Sequence, residues 1–234
     1  MIVTHLGDKR TPTDAVVGTL IQGLAAELNA PDQDLAEQHE AMTRYTVGLL
    51  SFALAHRGDT GTMPSLWDVH GETRFVWIKD KVAMGQPIER LVWLCDTAME
   101  QLRLYEDHVG RVRAAVSGPG GEAIDAVCQE GGLPLFDMTS GTVKALSIMH
   151  AARGVFKPAG LPKNTGRHWL RARLLGRCSS ESLHALFGHG MVGDGIWDDL
   201  SALDPAVYRA DLARVLDPAL IRIGWTPRTI WESP

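Results

Sequence analysis

The sequence predicts an α+β fold that is mainly helical, with one small three-stranded antiparallel sheet near the front. Apolar residues recur at helical spacing through most of the chain, whereas between residues 65 and 94 they cluster in short Val/Trp/Ile-rich runs. The composition, 45% hydrophobic and 22% charged over 234 residues with no repeat or low-complexity tract, suits a single globular unit spanning 1–234.

Taken in order, residues 12–30 form the leading helix, with Thr11 or Thr13 as cap, and Pro31 ends the pattern. A second helix runs from about Asp34 to Ala55, with Gly58 expected as its C-cap. The runs "SLWDVH", "TRFVWIKD" and "ERLVWL" are the three expected strands, joined by "HGET" and "KVAMGQPI". Trp67, Trp77 and Trp93, one per strand, are expected to pack in the core or on a sheet face. Helices follow over about 96–115, 121–129, 140–153, 164–177, 180–187 and 205–216, with "SGPGG" at 117–121 read as a loop.

No apolar run reaches membrane-spanning length, and the N-terminus lacks the basic-then-apolar order of a signal peptide. The scattered Cys95, Cys128 and Cys178 read as reduced thiols of a cytoplasmic protein. His150 and His184 lack partners at metal spacing, so neither a metal nor another cofactor is expected; His56 is expected to be a satisfied structural histidine. The net charge is −5, but its distribution is uneven. Residues 138–180 contain no Asp or Glu and carry Lys144, Arg153, Lys157, Lys163, Arg167, Arg171, Arg173 and Arg177, a local +8 that leaves −13 for the rest. Such segregation suits a basic surface facing a polyanion.

Within that stretch, His168 and Arg171 are three residues apart and share a helix face. Asn164 or Thr165 caps this helix, so Arg167 and His168 fall in its first turn, where free N–H groups attract anions. In "SSESLHALFGHG", Ser179 or Ser180 starts a short helix and Gly188 ends it, leaving His189 on a turn between two glycines.

"RHWLRARLL" followed by "LHALFGHG" resembles the tyrosine recombinase (phage integrase) family, whose catalytic domain has a His-x-x-Arg pair and then a Leu-Gly-His turn. "LSFALAHRGDT" is similar to the family's first-arginine segment, with Arg57 as the candidate. "FVWIKDKVAMGQPIERLVWL" is similar to its strand–Lys–strand hairpin, with Lys81 first and Lys79 second. Gly195 and Trp197 resemble residues that follow the last histidine in one group of these enzymes, and the likeness covers roughly 40–200.

The resemblance implies a DNA breaking-rejoining fold and a recombinase that integrates or excises mobile DNA through a 3′-phosphotyrosyl intermediate, without metal or nucleotide. Arg57 and Arg171 would hold the non-bridging phosphate oxygens, Lys81 would protonate the leaving 5′-oxygen, His168 would move a proton near the nucleophile, and His189 would hydrogen-bond the phosphate. Removing one such donor costs about 3–4 kcal/mol of barrier. The remaining basic residues would contact the backbone of double-stranded DNA, on which copies of the chain associate. The family's tyrosine is missing from "MVGDGIWDDLSAL"; Tyr208, nineteen residues after His189, is the downstream candidate. Its alternative is packing beside Val207 and Leu212, which would leave a DNA-binding relative without cleavage. A further reading, outside the family, is a helical module whose basic stretch meets an acidic protein. Residues 1–35 are too short for the family's N-terminal DNA-binding domain, so they are expected to be the end of one in a longer protein.

Overall fold

The computed structural model describes residues 5–6, 9–58, 61–83, 86–188 and 203–231. Short strands β1 (His5–Leu6) and β2 (Lys9–Arg10) pair antiparallel ahead of helix α1 (Asp14–Leu28). The Thr13 hydroxyl accepts the Val16 N–H and starts α1. Helix α2 (Leu35–Ala53) opens with a complete capping box: Asp34 accepts the Glu37 N–H at 2.9 Å and Glu37 accepts the Asp34 N–H at 3.0 Å. Its second half is buried almost all round, including Tyr45, Val47, Leu49, Leu50 and Phe52. Such a helix is apolar on every face because neighbours cover every face.

α2 ends earlier than expected, and not at Gly58. Ala55 takes the left-handed conformation (φ 49°), the Ala55 N–H donates to Phe52 O at 3.1 Å, and the His56 N–H donates to Ser51 O at 3.1 Å. These two bonds form a Schellman motif with alanine in the position glycine usually takes. Gly58 (φ 69°) turns the chain again three residues later, its N–H donating to His56 Nδ1. His56 is therefore the buried structural histidine the sequence suggested.

The sheet has two strands rather than three. β3 (Phe75–Ala83) and β4 (Gln86–Trp93) form an antiparallel hairpin with a register shift between Lys79 and Lys81. The stretch read as a first strand instead contains a 3-10 turn, Leu66–Asp68. Asp68 accepts from the Ser65 N–H at 2.8 Å and its hydroxyl at 2.9 Å, so a local side-chain bond captures the backbone before it can extend. Only His70 bridges to the hairpin, opposite Phe75, among the described residues. Trp93 is buried, but Trp67 is 93% and Trp77 55% exposed, against the packing expected of them.

Helix α3 (Asp96–Ala115) is followed by α4 (Gly118–Gln129), so most of "SGPGG" is helix: Pro119 sits in the first turn, where it has no N–H to lose. The helix expected over 140–153 is shorter. Strands β5 (Phe136–Asp137) and β6 (Lys144–Ala145) form a small hairpin, turned where Asp137 accepts from the Thr139 N–H and hydroxyl. Ser147 then caps α5 (Ile148–Phe156). The chain continues through α6 (Thr165–Leu174), α7 (Ser180–Phe187), α8 (Pro205–Ala213) and α9 (Leu216–Arg222). Ser179 and the left-handed Gly188 bound α7 as the sequence indicated. Helices α1, α3, α5 and α6 all pack on α2, and α7 packs on β4. Among the described residues no helix is long and apolar enough to cross a membrane.

Candidate functional site

The C-terminal ends of α2 and α7 are joined by two buried guanidinium groups. Arg90 of β4, 1% exposed, donates to Leu54 O at 2.8 Å, Ala55 O at 3.2 Å and Leu186 O at 2.5 Å. Arg167 of α6, 5% exposed, donates to Ala55 O at 2.9 Å and to Phe187 O, with its guanidinium over the Phe187 ring at 5.2 Å. Helix C-termini leave carbonyls unpaired and carry partial negative charge. Two fixed cations placed there satisfy the carbonyls and offset the dipoles, so burying the charge is tolerated.

Close backbone approaches complete the junction. A side chain at Gly166 would meet Ser51 O at 2.8 Å, which seats the first turn of α6 on α2. One at Gly58 would meet Lys163 O at 2.8 Å, so the turn after α2 lies against the entry to α6. One at Gly61 would strike Lys79 O, so the segment after Arg57 also runs against β3. Three of the four stretches singled out in the sequence therefore approach one another closely through their backbones, and α7 is tied to them by Arg90 and Arg167.

Arg57 lies half-buried in the turn between Ala55 and Gly58. His168 is half-buried in the first turn of α6, its N–H donating to Asn164 O. Arg171, one turn on, is exposed. Asn164 is the N-cap residue but makes no side-chain cap bond. Lys81 pairs with Ile88 in the hairpin, and Lys79, opposite Glu89, is exposed. His189, Gly195 and Trp197 lie outside the described residues, although α7 and Gly188 lead directly to His189.

Tyr208 is fully buried on α8: its hydroxyl donates to Leu91 O at 3.2 Å, and its ring stacks on Phe75 with centroids 6.1 Å apart. Burial pushes the phenol well above its ordinary range, although the Arg90 guanidinium opposes this. Here it is a packing residue with Leu212, while Val207, its other expected neighbour, is 59% exposed.

Of the basic residues expected on DNA, Lys144, Arg153, Lys157 and Arg177 are exposed and Lys163 is half-buried. Two others are already engaged within the protein. Arg167 is interior and bonded to carbonyls, as described. Arg173 is paired with Asp14, its Nε at 2.9 Å and its terminal nitrogen at 2.7 Å. Asp14 also accepts from Trp169 Nε1 at 2.8 Å, tying the start of α1 to α6.

A second buried polar cluster lies toward the other end of α2 and was not anticipated. Trp231 Nε1, which can only donate, bonds His108 Nδ1 at 2.9 Å. His108 Nε2 must then carry the hydrogen and donates to His39 Nδ1 at 3.1 Å, and His39 Nε2 donates to Phe136 O at 3.1 Å. Both imidazoles are neutral. Burial lowers His39 to about 4, with the Phe136 carbonyl and Asp137 pulling weakly the other way. Burial, with His39 and Arg111 nearby, lowers His108 to about 3. Below it, Thr43 Oγ1 meets the Tyr105 hydroxyl at 3.1 Å, and that hydroxyl donates to Pro134 O.

Arg90 is a site residue beyond those expected, and the sequence holds a signal for it: it shares the inward register of β4 with buried Val92, and a charge in that register marks a buried partner. Among the described residues no group of three or more His, Cys, Asp or Glu could hold a metal ion. No protein-family model matches the chain, and no curated protein matches it either.

Proposed function

We propose that this chain binds duplex DNA at the junction of α2, α6 and α7 and acts there as the catalytic unit of a site-specific recombinase with an integrase-like fold. One observation carries the reading: the Arg57 turn, the start of α6 with His168 and Arg171, the end of α7 and strand β3 with Lys79 meet through backbone contacts and the two buried arginines. Guanidinium groups at 57 and 171 suit a scissile phosphate, whose non-bridging oxygens gain charge during transesterification. On this reading α8 releases Tyr208 from Leu91 O when DNA binds, and its oxygen attacks phosphorus, forming the 3′-phosphotyrosyl link as the bond to the 5′-oxygen breaks. His168 takes the phenol proton, Lys81 protonates the departing 5′-oxygen, and His189 hydrogen-bonds the phosphate. Lys144, Arg153, Lys157, Lys163 and Arg177 contact the backbone of the duplex. Copies associate on the DNA, and the protein works in the cytoplasm.

A second reading is favoured by the seat of Tyr208, which is buried with its hydroxyl committed to Leu91 O. If it stays there on DNA, the chain is a DNA-binding relative that does not cut. A nicked suicide duplex separates the two. A covalent adduct that vanishes in Tyr208→Phe supports the recombinase; salt-sensitive binding without an adduct supports the relative. Absence of binding at low salt removes both and leaves a protein-interaction module.

A further inference from the structure

We propose that Arg90 is the positioning residue of this site, the group that sets the Arg57 turn against the end of α7 and against the Lys-bearing hairpin. The inference rests on the phosphate-binding reading of the junction. Arg90 belongs to β4, the partner of the strand that carries Lys79 and Lys81. Its two terminal nitrogens reach two separate segments: Leu54 and Ala55, the carbonyls just before Arg57, and Leu186, three residues before His189. One buried side chain thus spans three of the four stretches assigned to the phosphate.

The residue type follows from the task. A guanidinium presents fixed, diverging donors in one plane, whereas an ammonium is a compact point on a flexible stem that cannot hold both segments at these distances. The turn it holds also requires support. Ala55 sits at φ 49°, a left-handed conformation that strains an alanine, and its carbonyl accepts from both Arg90 and Arg167. At 1% exposure Arg90 does not meet DNA itself. It acts through the side chains whose backbones it fixes. Arg167 makes a parallel link, but from α6, so Arg90 is the one that brings in the hairpin.

The test is a double-mutant cycle on the full chain, reading the salt dependence of duplex binding. Each lost phosphate contact lowers the slope of log affinity against log salt by about 1. Arg90→Lys is expected to fold, to lower the slope by about as much as Arg57→Ala, and to make Arg57→Ala nearly silent when the two are combined. A merely structural role would leave the slope unchanged and the two effects additive, which overturns the proposal. If Arg90→Lys does not fold, the cycle is repeated with Arg90→Gln, whose amide keeps a donor for the α2 end but does not span to Leu186. Loss of slope and of coupling with Arg57 again supports the proposal, and their retention overturns it. Failure of both variants to fold makes Arg90 a folding residue and also overturns it. A native chain that does not bind duplex DNA sinks the functional reading itself; one that binds while Arg90 variants keep the full slope sinks only the role of Arg90.

Discussion

The two ends of α2 solve the same problem in opposite ways. Toward its start, His39 and Thr43 meet His108, Tyr105 and Trp231 in a cluster of neutral groups, with hydrogens running one way from indole to carbonyl. Beyond its end, Leu54 and Ala55 meet Arg90 and Arg167, which carry full charge. A neutral relay is inexpensive to bury but is broken by one added proton. Charged pins are costly to bury and need helix termini to offset them, yet a guanidinium does not lose its proton in a protein. The first arrangement suits a seam that only has to close. The second keeps its charge through changes in acidity, which suits the phosphate site proposed above it.

That contrast can be broken most directly at Arg167. Arg167→Ala leaves the Ala55 and Phe187 carbonyls without this donor and is expected to cost about 3–5 kcal/mol in urea unfolding, by the same amount at pH 5 and pH 8. A loss under 1 kcal/mol, or one that changes strongly with pH, would erase the distinction. The histidine end gives the next effect. His39 is lowered to about 4 in the fold against an ordinary 6.5, so the unfolded chain binds more protons between those values. Stability is then flat above about pH 6.5, falls as pH drops toward 4, and loses about 3 kcal/mol from this residue, with His108 extending the decline toward 3. Urea titrations at pH 7, 5 and 4 against His39→Gln check it: the variant's curve should be the flatter one.

Trp231→Phe removes the only donor in that relay that cannot be anything else and is expected to cost about 1–2 kcal/mol, read by thermal melting; an unchanged melt would make the relay ornamental. Smallest is Asp14→Asn, which keeps an acceptor for Trp169 but weakens the half-exposed pair with Arg173, for about 0.5–1 kcal/mol that shrinks further in high salt.

What could be seen in the sequence was what is settled locally. Helix α7 runs from Ser179 to Gly188 as anticipated because both caps are short-range chemistry. The same locality misled at 65–70 and 140–147, where Ser65–Asp68 and Asp137–Thr139 bonds outvoted the apolar pattern. Ala55 carried no glycine to announce a turn. At the candidate site, the Arg57, hairpin, α6 and α7 stretches could be picked out in the sequence, and they meet at one junction. The fate of individual arginines was not: Arg167 and Arg171 look alike in a run of basic residues, yet one is interior and the other exposed. His39 and His108 are 69 residues apart, and no motif links them.

Gly166 brings the first turn of α6 into direct contact with α2. Because α6 rides on the Ser51 carbonyl with no room for even a methyl group, the helix can neither slide nor roll without first parting from α2. Its inner side is therefore closed to variation, while Arg171, Leu175 and Arg177 project outward from the same segment. Substitutions on that outer surface can change its charge and shape, residue by residue, and keep the registration of everything behind it.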